Sequence, residues 1–182
     1  VIKEVFIVVH YSTIKDCDIA NGLGVRISLF VSGCRNHCKN CFNECTWDFN
    51  YGKPVTTELA YDLSAALSRS YIDGLTVLGG EPMEPENQMY VYELVKFLKA
   101  NNPDKNFWLY TGFTYEELHN PTCRAYNPNI DEMLKPFDVL VDGRFVEELK
   151  DISLRFRGSS NQRIIDLQKT RENGYPTLYK LP

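Results

Sequence analysis

The sequence predicts an α/β fold on a mainly parallel sheet, an open or incomplete (β/α) barrel. Short strand-like runs alternate with helical patterns, and the runs lie too far apart for hairpins, so crossover connections are needed. The candidate strands also end in loops of a functional kind. A cysteine-rich loop follows Val31, "GGEP" follows Leu78, "TGF" follows Tyr110 and "DGRF" follows Val141. Active sites of parallel α/β folds collect at the C-terminal ends of their strands, so these loops are expected to build one site.

Each element has its own reason. The apolar run at residues 5–9 and "VRISLFV" at 25–31, rich in β-branched and aromatic residues, read as buried strands. "LTVL" at 75–78, "FWLY" at 107–110, "DVLV" at 138–141 and "RII" at 163–165 are shorter strand candidates. In "TTELAYDLSAALSRSY" Leu59, Leu63, Ala66, Leu67 and Tyr71 recur at helical spacing, with Thr56 or Thr57 as N-cap. Residues 87–100 set Val91, Leu94, Val95 and Leu98 on one stripe, which Asn101, Asn102 and Pro103 end. "TYEELHN" predicts a short third helix, and "NIDEMLKPF" a further turn or two. There is no repeat, low-complexity tract or linker, so one domain is expected over residues 1–182. An N-terminal strand and a C-terminal extension would pack on a core at about 21–163.

Composition narrows the class. The chain is 182 residues long, 43% hydrophobic and 24% charged, enough to bury a core without staples. A net charge of -4 with scattered Lys and Arg argues against sequence-independent nucleic-acid binding, which needs a clustered basic surface. No run approaches the roughly 20 apolar residues that span a bilayer, and the first residues lack a signal-peptide cleavage pattern. Four of the six cysteines crowd into "SGCRNHCKNCFNECTW", residues 32–47. Such clustering without an export signal points to metal or iron-sulfur ligation in a reducing compartment, so the cytoplasm is the expected location.

Cys34, Cys38 and Cys41 form C-x3-C-x2-C in a short polar loop able to wrap a compact cluster. With Cys45 as a fourth ligand the site would be closed, as in an electron carrier or a zinc module. With three ligands one coordination position stays open. The spacing differs from the bacterial ferredoxin pattern C-x2-C-x2-C-x3-C-P, and a zinc site prefers two separated pairs. In "GGEP", residues 79–82, two glycines let backbone approach a ligand closely and Glu81 supplies an acceptor for an ammonium. Taken alone, those residues are more often a plain turn.

The cysteine spacing after a strand, with Gly79, Gly80 and Glu81 downstream, resembles the signature of radical S-adenosylmethionine (SAM) enzymes. The resemblance implies a radical SAM type of barrel in which Cys34, Cys38 and Cys41 hold a 4Fe-4S cluster. The remaining iron would bind SAM, whose reductive cleavage yields methionine and a 5'-deoxyadenosyl radical. "NGLGVR" (21–26) and "CFNECTWD" (41–48) look like segments of glycyl-radical-enzyme activases, with Asn21 and Leu23 as departures. "VDGRF" (141–145) and "RGSSNQR" (157–163) look most like the activating proteins of anaerobic (class III) ribonucleotide reductases. By that resemblance the substrate is a glycine Cα–H in the partner reductase, and the electron donor a low-potential flavodoxin or ferredoxin. Activation of pyruvate formate-lyase or another glycyl radical enzyme, a small-molecule radical SAM reaction, and a non-enzymatic four-cysteine iron-sulfur or zinc module are the alternatives.

The resemblance also assigns individual residues. Glycines 79 and 80 with Glu81 would meet the SAM amino group. Asn40 and Phe42 flank the third cysteine, and Phe42 would neighbour the adenine. Asp142 and Arg144 would meet the SAM carboxylate or ribose, set against a plain ion pair or turn. Cys45 reads as a buried or half-buried bystander thiol and His37 as a solvated loop histidine. Arg157, Asn161 and Arg163 would serve either the partner or the chain's own closure.

Overall fold

The computed structural model describes residues 9–182, so the strand expected at 5–9 lies outside the described residues apart from Val9. Seven strands form one mixed sheet: β1 (His10–Asp18), β2 (Arg26–Val31), β3 (Lys53–Pro54), β4 (Gly74–Gly79), β5 (Asn106–Tyr110), β6 (Val139–Asp142) and β7 (Arg163–Asp166), in the order β3-β1-β2-β4-β5-β6-β7. The centre, β2-β4-β5-β6, is parallel. Both flanks are antiparallel, β3 and β1 on one side and β7 on the other. The expectation of crossovers therefore holds for the centre and is corrected at the flanks. A seven-residue loop, 19–25, joins β1 to β2 as a hairpin, and residues 143–162 carry β6 back as β7.

Strand β1 has no clear sequence signal because two irregularities, between Tyr11 and Thr13 and between Lys15 and Asp18, break its alternation. The central strands obey strict parity. Ile27, Leu29, Leu75, Val77, Phe107, Leu109 and Leu140 pack into the core beneath the helices. Trp108, Val139, Val141 and Ile164 point to the opposite face and form a second, smaller cluster with Tyr110 and Phe156.

The helices cover the first face. Helix α1 (Thr57–Leu67) starts where Thr56 Oγ1 accepts from Leu59 N at 3.2 Å, and buries Ala60, Leu63 and Leu67. It ends before Tyr71, which stays outside the helix. Helix α2 (Pro85–Asn101) has Pro at its first position, where a missing N–H costs nothing, and buries Val91, Leu94, Val95 and Leu98. Short helices α3 (Tyr115–Leu118), with a Thr114–Glu117 capping box, and α4 (Ile130–Leu134) match the two weaker patterns. A further helix, α5 (Leu167–Asn173), lies in the segment that carried no sequence expectation. Asp166 caps its start, and Gly174, at φ 74°, ends it in the left-handed region. Among the described residues no helix is long and apolar enough to cross a membrane.

The end of the sheet away from the cysteine loop is fastened by Arg26, which is 1% exposed. Its guanidinium donates to Thr76 Oγ1 (2.8 Å), Leu23 O (3.0 Å), Leu75 O (2.7 Å) and Asn106 O (2.7 Å), and lies over the Trp108 ring. One side chain thus joins β2, β4, β5 and the 19–25 loop. Burial pulls its pKa down to about 10, so it remains charged at neutral pH. Arg26→Leu is expected to lower the unfolding free energy by about 3 kcal/mol, since it leaves buried carbonyls without their donor. A urea titration checks this, and a loss under about 0.5 kcal/mol would contradict the role.

Candidate functional site

At the C-terminal edge of the parallel strands the loops after β2, β4, β5 and β6 surround a cavity of about 560 Å³. Its wall includes Cys34, Cys38 and Cys41, together with Asn40, Phe42, Gly79, Gly80 and Glu81. Eight of the sequence-predicted residues therefore meet at one place. Asp142 and Arg144 do not line it.

The cysteine loop takes its shape from backbone contacts. Gly33 N donates to Thr46 O (2.7 Å) and Cys34 N to Trp47 O (3.3 Å), so the loop folds back on a single 3-10 turn, Glu44–Trp47. A Cβ on Gly33, at φ 96°, would sit 2.3 Å from the Phe49 ring, so only glycine fits. His37, expected to be solvated, is exposed and also stacks on Trp47 with ring centroids 4.3 Å apart. Cys34 is buried, whereas Cys38 and Cys41 are half-buried. Burial pushes the Cys34 thiol up to about 12, with the Glu81 and Glu84 charges adding to the rise. A metal-bound Cys34 must therefore give up its proton to the binding event. Cys45, expected to be a buried or half-buried bystander, is exposed; its Sγ approaches Asn43 Oδ1 at 3.5 Å, away from the cavity wall.

The "GGEP" turn presses against this loop. Gly80 N donates to Val31 O (2.7 Å) and Glu81 N to Gly33 O (2.8 Å). A Cβ on Gly79, at φ 117°, would lie 2.6 Å from the Val31 backbone, so the two strand ends meet at this distance only through glycine. Glu81 is wholly buried. Its Oε1 accepts from Thr111 Oγ1 (2.6 Å) and Met83 N (2.9 Å), and its Oε2 from Gly112 N (2.7 Å) and Asn36 Nδ2 (2.9 Å). Burial raises this carboxyl's pKa, while Thr111, Met83 and Gly112 hold the rise back. With both oxygens doubly engaged, Glu81 joins three loops.

Three residues on, Glu84 is equally buried and receives Arg35 N (2.8 Å), Arg35 Nη1 (3.0 Å) and Arg124 Nη2 (2.8 Å). Arg124 Nη2 also donates to Asn36 Oδ1 at 2.6 Å, and Arg35 lies over the Phe49 ring. Arg35, Asn36 and Glu84 carried no specific sequence expectation. Their signal was the position of two polar residues inside the cysteine spacing and of a second carboxylate beside "GGEP".

Asp142 and Arg144 depart from the SAM-contact expectation for a reason of parity. Leu140 packs beneath the helices, so Asp142, two residues on, points to that same face. There it is wholly buried, accepts from Tyr115 N (2.7 Å) and Arg163 Nε (3.0 Å), and pairs with Arg163 Nη2. Arg163 bridges on to Glu116 (2.6 Å). Arg144 pairs with Glu117 at 3.0 Å and covers the Phe113 ring. Gly143 then turns the chain so that Phe145, not Arg144, lines the cavity.

"RGSSNQR" closes the segment after β6. Gln162 Oε1 accepts from Gly158 N (2.8 Å) and Ser159 N (3.1 Å), and its Nε2 donates to Gly143 O (3.0 Å). Asn161 Nδ2 donates to Arg144 O (2.8 Å). Residues 143–162 thereby form a lip whose inner side brings Phe145, Leu154, Phe156 and Arg157 to the cavity.

The donor set fits a cluster held by three thiolates. The three cysteines of the C-x3-C-x2-C spacing share one wall, and Cys45 lies off it. Two buried donors of the loop, Trp47 Nε1 and Asn43 Nδ2, have no partner within the protein, and Trp47 is on the wall. Among the described residues no three His, Cys, Asp or Glu donors converge as for a single metal ion.

Glu84→Ala is expected to loosen the cysteine loop by leaving Arg35 and Arg124 without their shared carboxylate. Both guanidinium groups reach solvent, which reduces the cost from that of a fully buried pair to about 2 kcal/mol. Faster amide exchange across residues 33–47, with the α2 interior unchanged, is the expected reading. Unchanged exchange there would refute it.

Comparison with known proteins agrees with this site. Residues 20–165 match the family described as "4Fe-4S single cluster domain". The chain is 39% identical over 155 residues to the anaerobic ribonucleoside-triphosphate reductase-activating protein of Enterobacteria phage T4, covering 85% of this chain and 92% of the relative. It is 41% identical over 157 residues to that of Vibrio cholerae, covering 85% and 96%. With that of Escherichia coli K12 it shares 37% over 161 residues, covering 87% and 99%. A three-cysteine loop against a glycine-glycine-glutamate turn, within a chain matched over most of its length, thus has its explanation: the protein belongs to the family of anaerobic ribonucleoside-triphosphate reductase-activating proteins.

Proposed function

We propose that this chain activates an anaerobic ribonucleoside-triphosphate reductase by generating a glycyl radical on it. The observation that carries the reading is the cavity wall on which Cys34, Cys38 and Cys41 stand with Gly79, Gly80 and Glu81. When bound, a 4Fe-4S cluster supplies the electron that cleaves SAM to methionine and a 5'-deoxyadenosyl radical, which takes a hydrogen atom from a glycine Cα. Cys34, Cys38 and Cys41 would hold the cluster, with SAM beside it in the cavity they line. Gly79 and Gly80 let this turn pack against the end of β2 and the cysteine loop, which sets the wall beside the thiols. Glu81 fixes Asn36, Thr111 and Gly112 around that cavity, and Asn40 and Phe42 border it beyond the third cysteine. Asp142 and Arg144 act from behind, steadying the loop after β6.

In this reading the sheet is the wall of an incomplete (β/α) barrel of radical SAM type, and residues 1–182 make one domain. The open side suits a protein substrate better than a small molecule. The protein works in the cytoplasm without nucleic acid or membrane, and takes its electron from a low-potential flavodoxin or ferredoxin.

Anaerobic reconstitution tests the ligand set. Replacing Cys34, Cys38 or Cys41 by Ala is expected to remove most cluster absorbance and all 5'-deoxyadenosine formation. Cys45→Ala should keep iron and sulfide content within about 20% of the parent, the margin a non-ligand allows. Loss of the cluster in Cys45→Ala would instead indicate a closed module with four cysteine ligands. The activity itself is checked by incubating reduced protein with SAM and the reductase. Both 5'-deoxyadenosine and a glycyl radical resonance should appear, and absence of both would refute the function.

A further inference from the structure

The lip formed by residues 143–162 carries features that holding SAM and a cluster does not require. Ile152 lines the cavity yet is 96% exposed, and Leu149, at the end of the lip's own 3-10 turn, is 43% exposed. Phe42 of the cysteine loop is also on the cavity wall and 86% exposed. Isolated apolar residues on a surface are ordinary. Here they stand on two separate loops that share one cavity, and those loops are tied together by the Lys39–Glu148 ion pair at 3.2 Å.

Most charges on this rim have partners within it, although Arg157 on the cavity wall meets only the Gln162 carbonyl (2.6 Å) among the described residues. Lys39 pairs with Glu148, Lys150 reaches Glu147 at 4.0 Å, and Asp151 accepts from the Ser153 N–H and hydroxyl. Beside these charges stand exposed apolar groups that none of the described residues covers. The opening is also continuous with the place to which a glycine Cα must come.

We infer that Leu149, Ile152 and Phe42 form the seat for the reductase segment that carries the reacting glycine, gripping apolar side chains on either side of it. The inference rests on the function proposed above and names the surface through which that function meets its substrate. A glycine lacks a side chain to hold, so its neighbours must supply the grip. Binding led by these apolar groups would depend little on salt, unlike a charge-steered encounter.

The test uses the reconstituted, reduced chain with SAM and the intact reductase. For Leu149→Ser/Ile152→Ser, cluster absorbance, half-saturating SAM and 5'-deoxyadenosine formation without reductase should stay within about twofold of the parent. The reductase concentration giving half-maximal glycyl radical should rise at least about tenfold, as expected for lost apolar anchors. In the parent, raising salt from about 50 to about 300 mM should change that concentration less than about threefold. An unaltered dependence on reductase in the double variant would overturn the inference. So would a raised SAM requirement in that variant, which would place the lip in the SAM pocket, or a steep salt dependence, which would mark docking led by charge. A parent that forms neither 5'-deoxyadenosine nor a glycyl radical would instead remove the underlying function, and this seat with it.

Discussion

Two buried carboxylates three residues apart, Glu81 and Glu84, hold the site together. Neither has solvent to stabilise its charge, so each must be surrounded by donors. Those donors come from the cysteine loop (Arg35, Asn36), from the loop after β5 (Thr111, Gly112) and from Arg124. Leaving a buried carboxylate unsatisfied is far more costly than forming any one of these bonds is favourable. The loops consequently have little freedom to move apart, and the cysteines are presented from a frame that is already rigid.

The frame uses the sheet's parity to separate chemistry from support. Along the central strands, odd and even residues go to opposite faces, one beneath the helices and one toward the Trp108 cluster. Asp142 falls on the helix side and becomes a strut with Arg163, while Phe145 beyond Gly143 reaches the cavity. At the far end of the same strands Arg26 joins three of them through carbonyls and Thr76. Stability and chemistry are thus placed at opposite ends of the sheet, the usual division for parallel α/β folds.

The segment between β6 and β7 serves both sides of that division. Gln162 and Asn161 tie it to the backbone of Gly143 and Arg144, so it is built as one piece with its apolar tip held outward. Lys39–Glu148 then joins it to the loop that carries the thiols. A strand that returns antiparallel at the sheet edge is what makes the lip possible, because a parallel return would have needed a covering helix in its place.

What the sequence by itself determined is local. Cysteine spacing, the glycine-glycine-glutamate turn, the apolar central strands and the stripes of α1 and α2 depend on neighbours in the chain and on period, and all were legible there. Tertiary structure decided the rest. Glu81 was legible as an acceptor, but the donors that occupy it include Thr111 and Gly112 from the loop after β5 and Asn36 from the cysteine loop, all far away in the chain. The direction of Asp142 depended on which face of β6 met the helices, and the two readings of Arg163 were separated only when Asp142 and Glu116 came within reach of it. Strand β1 was hidden by its irregularities, and Cys45, expected to be buried or half-buried, was turned outward by a 3-10 turn. A spacing specifies which groups are available; only the folded sheet specifies which of them share a cavity and which are consumed in holding it open.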